Sequence, residues 1–238
     1  MIFYGLLRLH PILIAAAVIP AIVLMVYIYR KDRLEKEPTG LLVLLIVMGI
    51  LSTSLASFLE QIGAKILAKL LDPSTELFAI LSNLLVIGLV EEGSKYFFLK
   101  RRTWRNPNFN CKFDGLVYAV FVSLGFALWE NLFYVFMYGL GGALLRAVTA
   151  VPGHACFGVF MGALYGQAKL LENRGDLQRS KNYRVLAVLC PTVLHGLYDY
   201  IATSGAESLT GYFIAYVIVM FLTSFVLIRR LSQEDRFI

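Results

Sequence analysis

Residues 81–99 read LSNLLVIGLVEEGSKYFFL, a run of mostly apolar side chains interrupted by Glu91, Glu92 and Lys95. Each such charge at the centre of a membrane helix costs on the order of 2.5–3.5 kcal/mol on insertion scales. A water-soluble surface does not explain the stretch, because hydrophobic residues flank the charges on both sides. Its environment is decided by the rest of the chain. Of 238 residues, 58% are hydrophobic and 16% charged, against about 25% charged in soluble domains, and mean hydropathy is +0.70. Apolar runs of roughly 20 residues span a bilayer. They are read here at 9–29, 41–59, 77–99, 114–137, 148–170, 184–203 and 210–229. Each must be helical, since an open strand in lipid leaves its backbone hydrogen bonds unmade. The expected fold is therefore an all-α integral membrane bundle of about seven transmembrane helices.

Residues 60–73 (EQIGAKILAKLLDP) are amphipathic and read as an interfacial helix; counted as a span they would make eight. The first apolar run continues past Ala15–Ala17 to Tyr29, longer than the core of a cleaved signal peptide. Loops are too short to house a soluble domain, so the expectation is one membrane unit over 1–238 with its chemistry on the helices of about 77–203.

Orientation follows from Lys and Arg. Four fall in 30–38, five in 100–112, five in 169–184 and three from Arg229 onward. The opposite side has Arg8, Lys65, Lys69 and Arg146. This asymmetry places the N-terminus outside and the C-terminus in the cytoplasm. The formal charge of +6 is then a topology signal and an attraction to anionic lipid. The cations are dispersed over separate loops, which does not suggest nucleic-acid binding. Cys111, Cys156 and Cys190 read as reduced, structural thiols.

The polar residues within the spans are Glu91, Glu92 and Lys95 on the third, Glu130 and Asn131 on the fourth, His154 on the fifth, and His195 with Asp199 on the sixth. They must face one another or a wet cavity. Glu91 and Lys95 stand at i and i+4, as do His195 and Asp199, so each pair shares a helix face. Glu92 points about 100° away, toward a different neighbour. His154 heads the row Gly158, Gly162, Gly166, a spacing that lets another helix backbone approach closely. Asn131 reads as a supporting residue bonding a carbonyl or its neighbour, and Arg146 as an end-of-helix residue. By these span limits Glu91 lies about 10 Å nearer the cytoplasm than the histidines, at ~1.5 Å per residue.

Three chemistries use such a set. A glutamate can deprotonate a water while histidine holds the oxyanion. Glu91, His154 and His195 can bind zinc and activate a water, although HExxH and HxxEH are absent. The same groups can relay protons or metal ions in a transporter, which the lack of an inverted repeat disfavours. No GxSxG supports a serine nucleophile.

The ordered set YRKDRLEKEP (29–38), EEGSK (91–95), FDGLVYAVFVSLGFALWEN (113–131), HACFGVFMG (154–162) and HGLYDY (195–200) resembles the PrsW family of intramembrane proteases. That family is related to the CAAX prenyl endopeptidases and bacteriocin-immunity-type proteins. The wider group's EExxxR motif reads here Glu91-Glu92-x-x-Lys95, its FxxxH reads Phe126-x-x-x-Glu130, and its HxxxN reads His195-x-x-x-Asp199. These departures favour the PrsW branch over prenyl-peptide specificity.

The resemblance implies a multi-pass peptidase of the bacterial cytoplasmic membrane. Its substrate would be a single-span anti-sigma factor, cut at site 1 on the extracytoplasmic side. Membrane lipid is the other expected partner, and no cofactor is expected, with zinc the alternative. In the corresponding assignment Glu91 is the general base and Glu92 an orienting or alternative base. Glu130 shares the proton or positions the water, and His154 and His195 serve the oxyanion and the leaving amine. Asp199 fixes the His195 tautomer, and Lys95 neutralises Glu91 or Glu92.

Overall fold

The computed structural model describes residues 11–205 and 209–238; the first residues of the first expected span, and Arg8, lie outside them. Among the described residues seven helices are long and apolar enough to cross a membrane. They are α1 (Pro11–Lys31), α2 (Thr39–Leu70), α3 (Glu76–Thr103), α4 (Asp114–Tyr138), α5 (Leu144–Asn173), α6 (Leu177–Thr203) and α7 (Thr210–Gln233). No strand occurs among these residues; one isolated antiparallel bridge joins Cys111 to Phe237. Apolar side chains such as Val23, Val43 and Leu222 remain more than half exposed around the bundle. That surface suits lipid contact.

Residues 60–70 are not a separate interfacial helix. They prolong the second span into one helix of 32 residues. The stretch contains no proline, and its amphipathic turns satisfy their backbone as well by continuing α2 as by starting afresh. At 1.5 Å per residue α2 is about 48 Å long, longer than a hydrocarbon core of about 30 Å. Its last turns therefore stand clear of the apolar layer or tilt within it. Leu71 ends the helix in extended backbone, and α3 starts where the Thr75 hydroxyl accepts the Phe78 N–H at 3.2 Å.

The apolar stretch of the fifth span reaches back to Leu144, with its own helix starting at Ala150, close to the expected 148, and the sixth begins at Leu177 rather than 184. Along a straight helix Glu130 and Arg146 would stand about 24 Å apart. Their side chains meet at 2.7 Å. The chain therefore turns back between them, and α4 and α5 run antiparallel; the backbone is helical from Asp114 to Val148, breaks at Thr149 and is helical again from Ala150.

Those two helices form the densest part of the bundle, and the glycine row explains how. A Cβ on Gly162 would lie 2.4 Å from Leu116 Cα, and one on Gly166 2.2 Å from the Lys112 carbonyl oxygen. Backbone meets backbone there, as the four-residue spacing leads one to expect. Gly162→Ala should consequently lower the melting temperature in detergent by several degrees, since overpacking a core typically costs about 1–3 kcal/mol. An unchanged melting curve would show that the two helices are not so close.

Candidate active site

The third helix carries the first three polar groups, and its backbone is unusual just before them. Residues Ser82–Gly88 form a π-helical stretch between α-helical Glu76–Leu81 and Leu89–Thr103. Such wide turns occur frequently at functional sites. Here the stretch lies directly against α6. A Cβ on Gly88 would fall 2.9 Å from the Thr192 carbonyl oxygen, and one on Gly196 2.8 Å from Leu84 Cα. Two glycines thus bring the backbones into contact beside Glu91 and Glu92 on one helix and His195 on the other. This seating removes the depth mismatch expected from the span limits. That mismatch assumed uniform α-helical rise and shorter helices.

The side chains converge. The Lys95 ammonium donates to Glu92 Oε1 at 2.7 Å and to Glu91 Oε2 at 3.2 Å, and contacts His154 Nδ1 at 3.1 Å. Lysine has no acceptor, so Nδ1 accepts and the His154 proton sits on Nε2. That nitrogen is 2.8 Å from Glu130 Oε2. His195 Nδ1 lies 2.9 Å from Glu92 Oε1 and 3.8 Å from Glu91 Oε2, while Nε2 lies 3.2 Å from Asp199 Oδ2. Both His195 nitrogens face carboxylates, so a doubly protonated ring can donate to each. Phe157 stacks on this imidazole at 4.6 Å between centroids, and the Lys95 ammonium sits 4.0 Å over the Phe126 ring. The aromatic faces hold the Lys95 ammonium and the His195 ring without competing for their protons.

A cavity of about 530 Å³ opens over this cluster. Glu91, Glu130, His154, His195 and Asp199 line it; Glu92 and Lys95 do not, both being completely buried behind Glu91. Thr53, Ser54, Ser57 and Glu60 of α2 and Trp129 and Phe133 of α4 form part of the remaining wall. These positions lie toward the C-terminal ends of α2, α4 and α6. The cavity therefore opens on the face opposite the 32–38 loop.

All six expected catalytic positions and Lys95 are thus brought together, whereas Asn131 is not. Its side chain donates to the Ala17 carbonyl at 3.0 Å and ties α4 to α1. Two residues escaped the sequence reading. Arg146, read as an end-of-helix residue, reaches into the cavity and pairs with Glu130 Oε2 at 2.7 Å. It lies in the last turn of the helical stretch that ends at Val148, across the break at Thr149 from His154, so helical periodicity gave no signal for it. Glu60 lines the cavity because α2 is continuous; breaking the helix at 60 had moved it to the interface.

Glu91, Glu92, His154 and His195 also offer ligand atoms that all lie within 4.8 Å of one another. Two carboxylates and two imidazoles are a donor set that zinc accepts. In this structure the Lys95 ammonium supplies the positive charge among them, touching three of the four. Glu92 Oε2, buried and without a hydrogen-bond partner among the described residues, remains open to a cation. The residues fit a metal, provided the ammonium draws back.

Comparison with known proteins gives a consistent result. A family model described as "PrsW family intramembrane metalloprotease" matches residues 37–228. A protein named Protease PrsW from Geobacillus kaustophilus is 33% identical over 84% of this chain and 83% of its own length. Its namesake from Oceanobacillus iheyensis is 32% identical over 93% and 97% respectively. A third, from Clostridioides difficile, is 32% identical over 86% and 84%. No solved structure matches the chain. With the matched region containing every polar group of the cavity, the chain belongs to the PrsW family of intramembrane proteases.

Proposed function

We propose that this peptidase hydrolyses a peptide bond of a single-span membrane protein with a water activated by Glu91. One observation carries the assignment of the base. Glu91 is the member of the adjacent glutamate pair that lines the cavity, while Glu92 is sealed behind it holding Lys95 and His195. In the proposed reaction Glu91 takes a proton from water, and the water oxygen adds to the scissile carbonyl carbon. His195 donates to the resulting oxyanion from Nε2, turning that N–H from Asp199, while Glu92 holds the ring from Nδ1. When the C–N bond breaks, the amine takes the proton from Glu91. Glu130, clamped between His154 and Arg146, positions the substrate or the water from the opposite wall. The proposed substrate is of anti-sigma factor type, cut at site 1 on the extracytoplasmic side of a bacterial cytoplasmic membrane. Family resemblance supports that choice, and the loop charges support the side.

A zinc-dependent form is the second reading. It is favoured by the four-donor cluster and by the family's description as a metalloprotease. A bound zinc would lower the pKa of a water and polarise the carbonyl. In that form Glu92, His154 and His195 become ligands, and Glu91 either joins them or keeps its place as base. Cleavage of a single-span substrate by purified protein, with product masses recorded, tests the common reading. Metal analysis with chelator treatment separates the two. Under the first reading, full activity is expected in protein stripped of metal. Activity lost to the chelator and restored by zinc alone selects the second.

A further inference from the structure

A second cavity, of about 740 Å³, lies at the other end of the bundle, where the C-terminal ends of α3 and α5 meet the start of α6. This is the face on which Lys and Arg concentrate and which the loop charges place in the cytoplasm. The wall takes cations from three helices. Lys100 and Arg101 stand in the last turn of α3 with Arg105 just beyond it, Lys169 comes from α5 and Arg184 from α6. Glu172 is the wall's one carboxylate among the described residues, and it is occupied in accepting the Trp104 indole N–H at 3.0 Å. None of the five cations is in an ion pair among the described residues.

Two of these cations are held in place by one aromatic ring. Trp104 is 8% exposed. The Lys169 ammonium donates to its carbonyl oxygen at 3.0 Å and lies 5.3 Å from its ring centroid, and the Arg184 guanidinium lies 5.1 Å from the same centroid. Trp104 packs in turn on Tyr165, at 5.0 Å between centroids, and the Tyr165 hydroxyl is 2.9 Å from that of Thr103. The cations therefore stand on a packed core rather than on a loop. Two polar groups of the wall are left without partners. Arg184 Nε and the Tyr96 hydroxyl are buried and have no hydrogen-bond partner among the described residues. Buried donors of this kind are costly unless an acceptor reaches them. A phosphate oxygen is the acceptor that a guanidinium pairs with most strongly.

We propose that this cavity binds the phosphate headgroup of an anionic phospholipid. Five cations against one engaged carboxylate call for an anion, and basic pockets between membrane helices on the cytoplasmic side suit such headgroups. The apolar part of the wall favours a lipid over a soluble phosphate. Tyr96 and Phe97 stand one turn before Lys100 on α3, and Phe97 is 51% exposed. Acyl chains leaving the headgroup would run along that surface, which already suits lipid contact. The bound headgroup would bridge α3, α5 and α6, the helices that carry Glu91, His154 and His195 deeper in the bundle.

The test melts the full chain in an uncharged detergent with added phosphatidylglycerol, phosphatidylcholine or inorganic phosphate. Saturating phosphatidylglycerol should raise the melting temperature by about 5 °C, and the other two should leave it unchanged. Arg184→Gln should remove most of the rise. Because Arg184 is partly buried and its loss can disturb folding, Arg101→Gln is the second variant; Arg101 is exposed, and its loss should at least halve the rise. Arg229→Gln removes the same charge from α7, outside the cavity, and should keep the rise whole. No rise with phosphatidylglycerol overturns the site, as does an equal rise with phosphatidylcholine. Equal responses from Arg184→Gln, Arg101→Gln and Arg229→Gln overturn it too, since the attraction then belongs to the whole basic face. An equal rise with inorganic phosphate overturns the lipid as the source of the headgroup.

Discussion

Glu91→Gln should reduce cleavage of a single-span substrate by at least about a hundredfold while leaving the melting temperature close to that of the parent. General acid–base groups contribute about 10²–10⁴ in rate, and the amide cannot take the proton of water. Stability should survive because Gln keeps the shape, and Lys95 retains its shorter contact, 2.7 Å, with Glu92. Glu92→Gln gives the contrast. Its carboxylate oxygen serves both Lys95 and His195 from a fully buried position, so its loss should lower the melting temperature together with activity. The two glutamates are thus separable by one pair of measurements. Retention of more than about a tenth of parental activity by Glu91→Gln, under conditions where Glu92→Gln is inactive, would reverse the roles.

What the sequence made legible, and what it hid, divides along the range of the physics involved. Span number and the i, i+4 pairs depend on local composition and helical period. Lys95 with Glu91, and His195 with Asp199, are accordingly found as expected. Convergence of the third to sixth helices also followed, because charge in lipid must be paired. Depth did not follow. It depends on the π-helical turns at Ser82–Gly88, and no residue there declares them. Glu60 was missed for a similar reason. Whether an amphipathic segment continues a helix or lies flat depends on what it meets, and here it meets a polar cavity wall. Arg146 was hidden by the reversal of the chain between α4 and α5, which returns it to Glu130 and makes an end-of-helix cation a partner of the site.

Lys95→Met should destabilise the protein more than any other single change at the site. The ammonium is completely buried, contacts Glu91, Glu92 and His154, and lies over the Phe126 ring. Methionine fills most of the stem's volume, so the loss is of charge rather than of packing. Removing one partner from a buried ion pair typically costs about 3–5 kcal/mol, because the other charge is left uncompensated. For a chain of this length that corresponds to a fall on the order of 10 °C in melting temperature. Adding Glu92→Gln to Lys95→Met should restore much of it, since the second change removes one of the carboxylates the ammonium had balanced. The same variant examines the metal reading from the structural side. Without the ammonium, Glu91, Glu92, His154 and His195 are free to close on a cation, and zinc should raise the melting temperature of Lys95→Met more than that of the parent. Parental stability of Lys95→Met in metal-free buffer would mean that the lysine does not neutralise these carboxylates. A thermal response to zinc as large in the parent as in the variant would mean that the ammonium already yields its place.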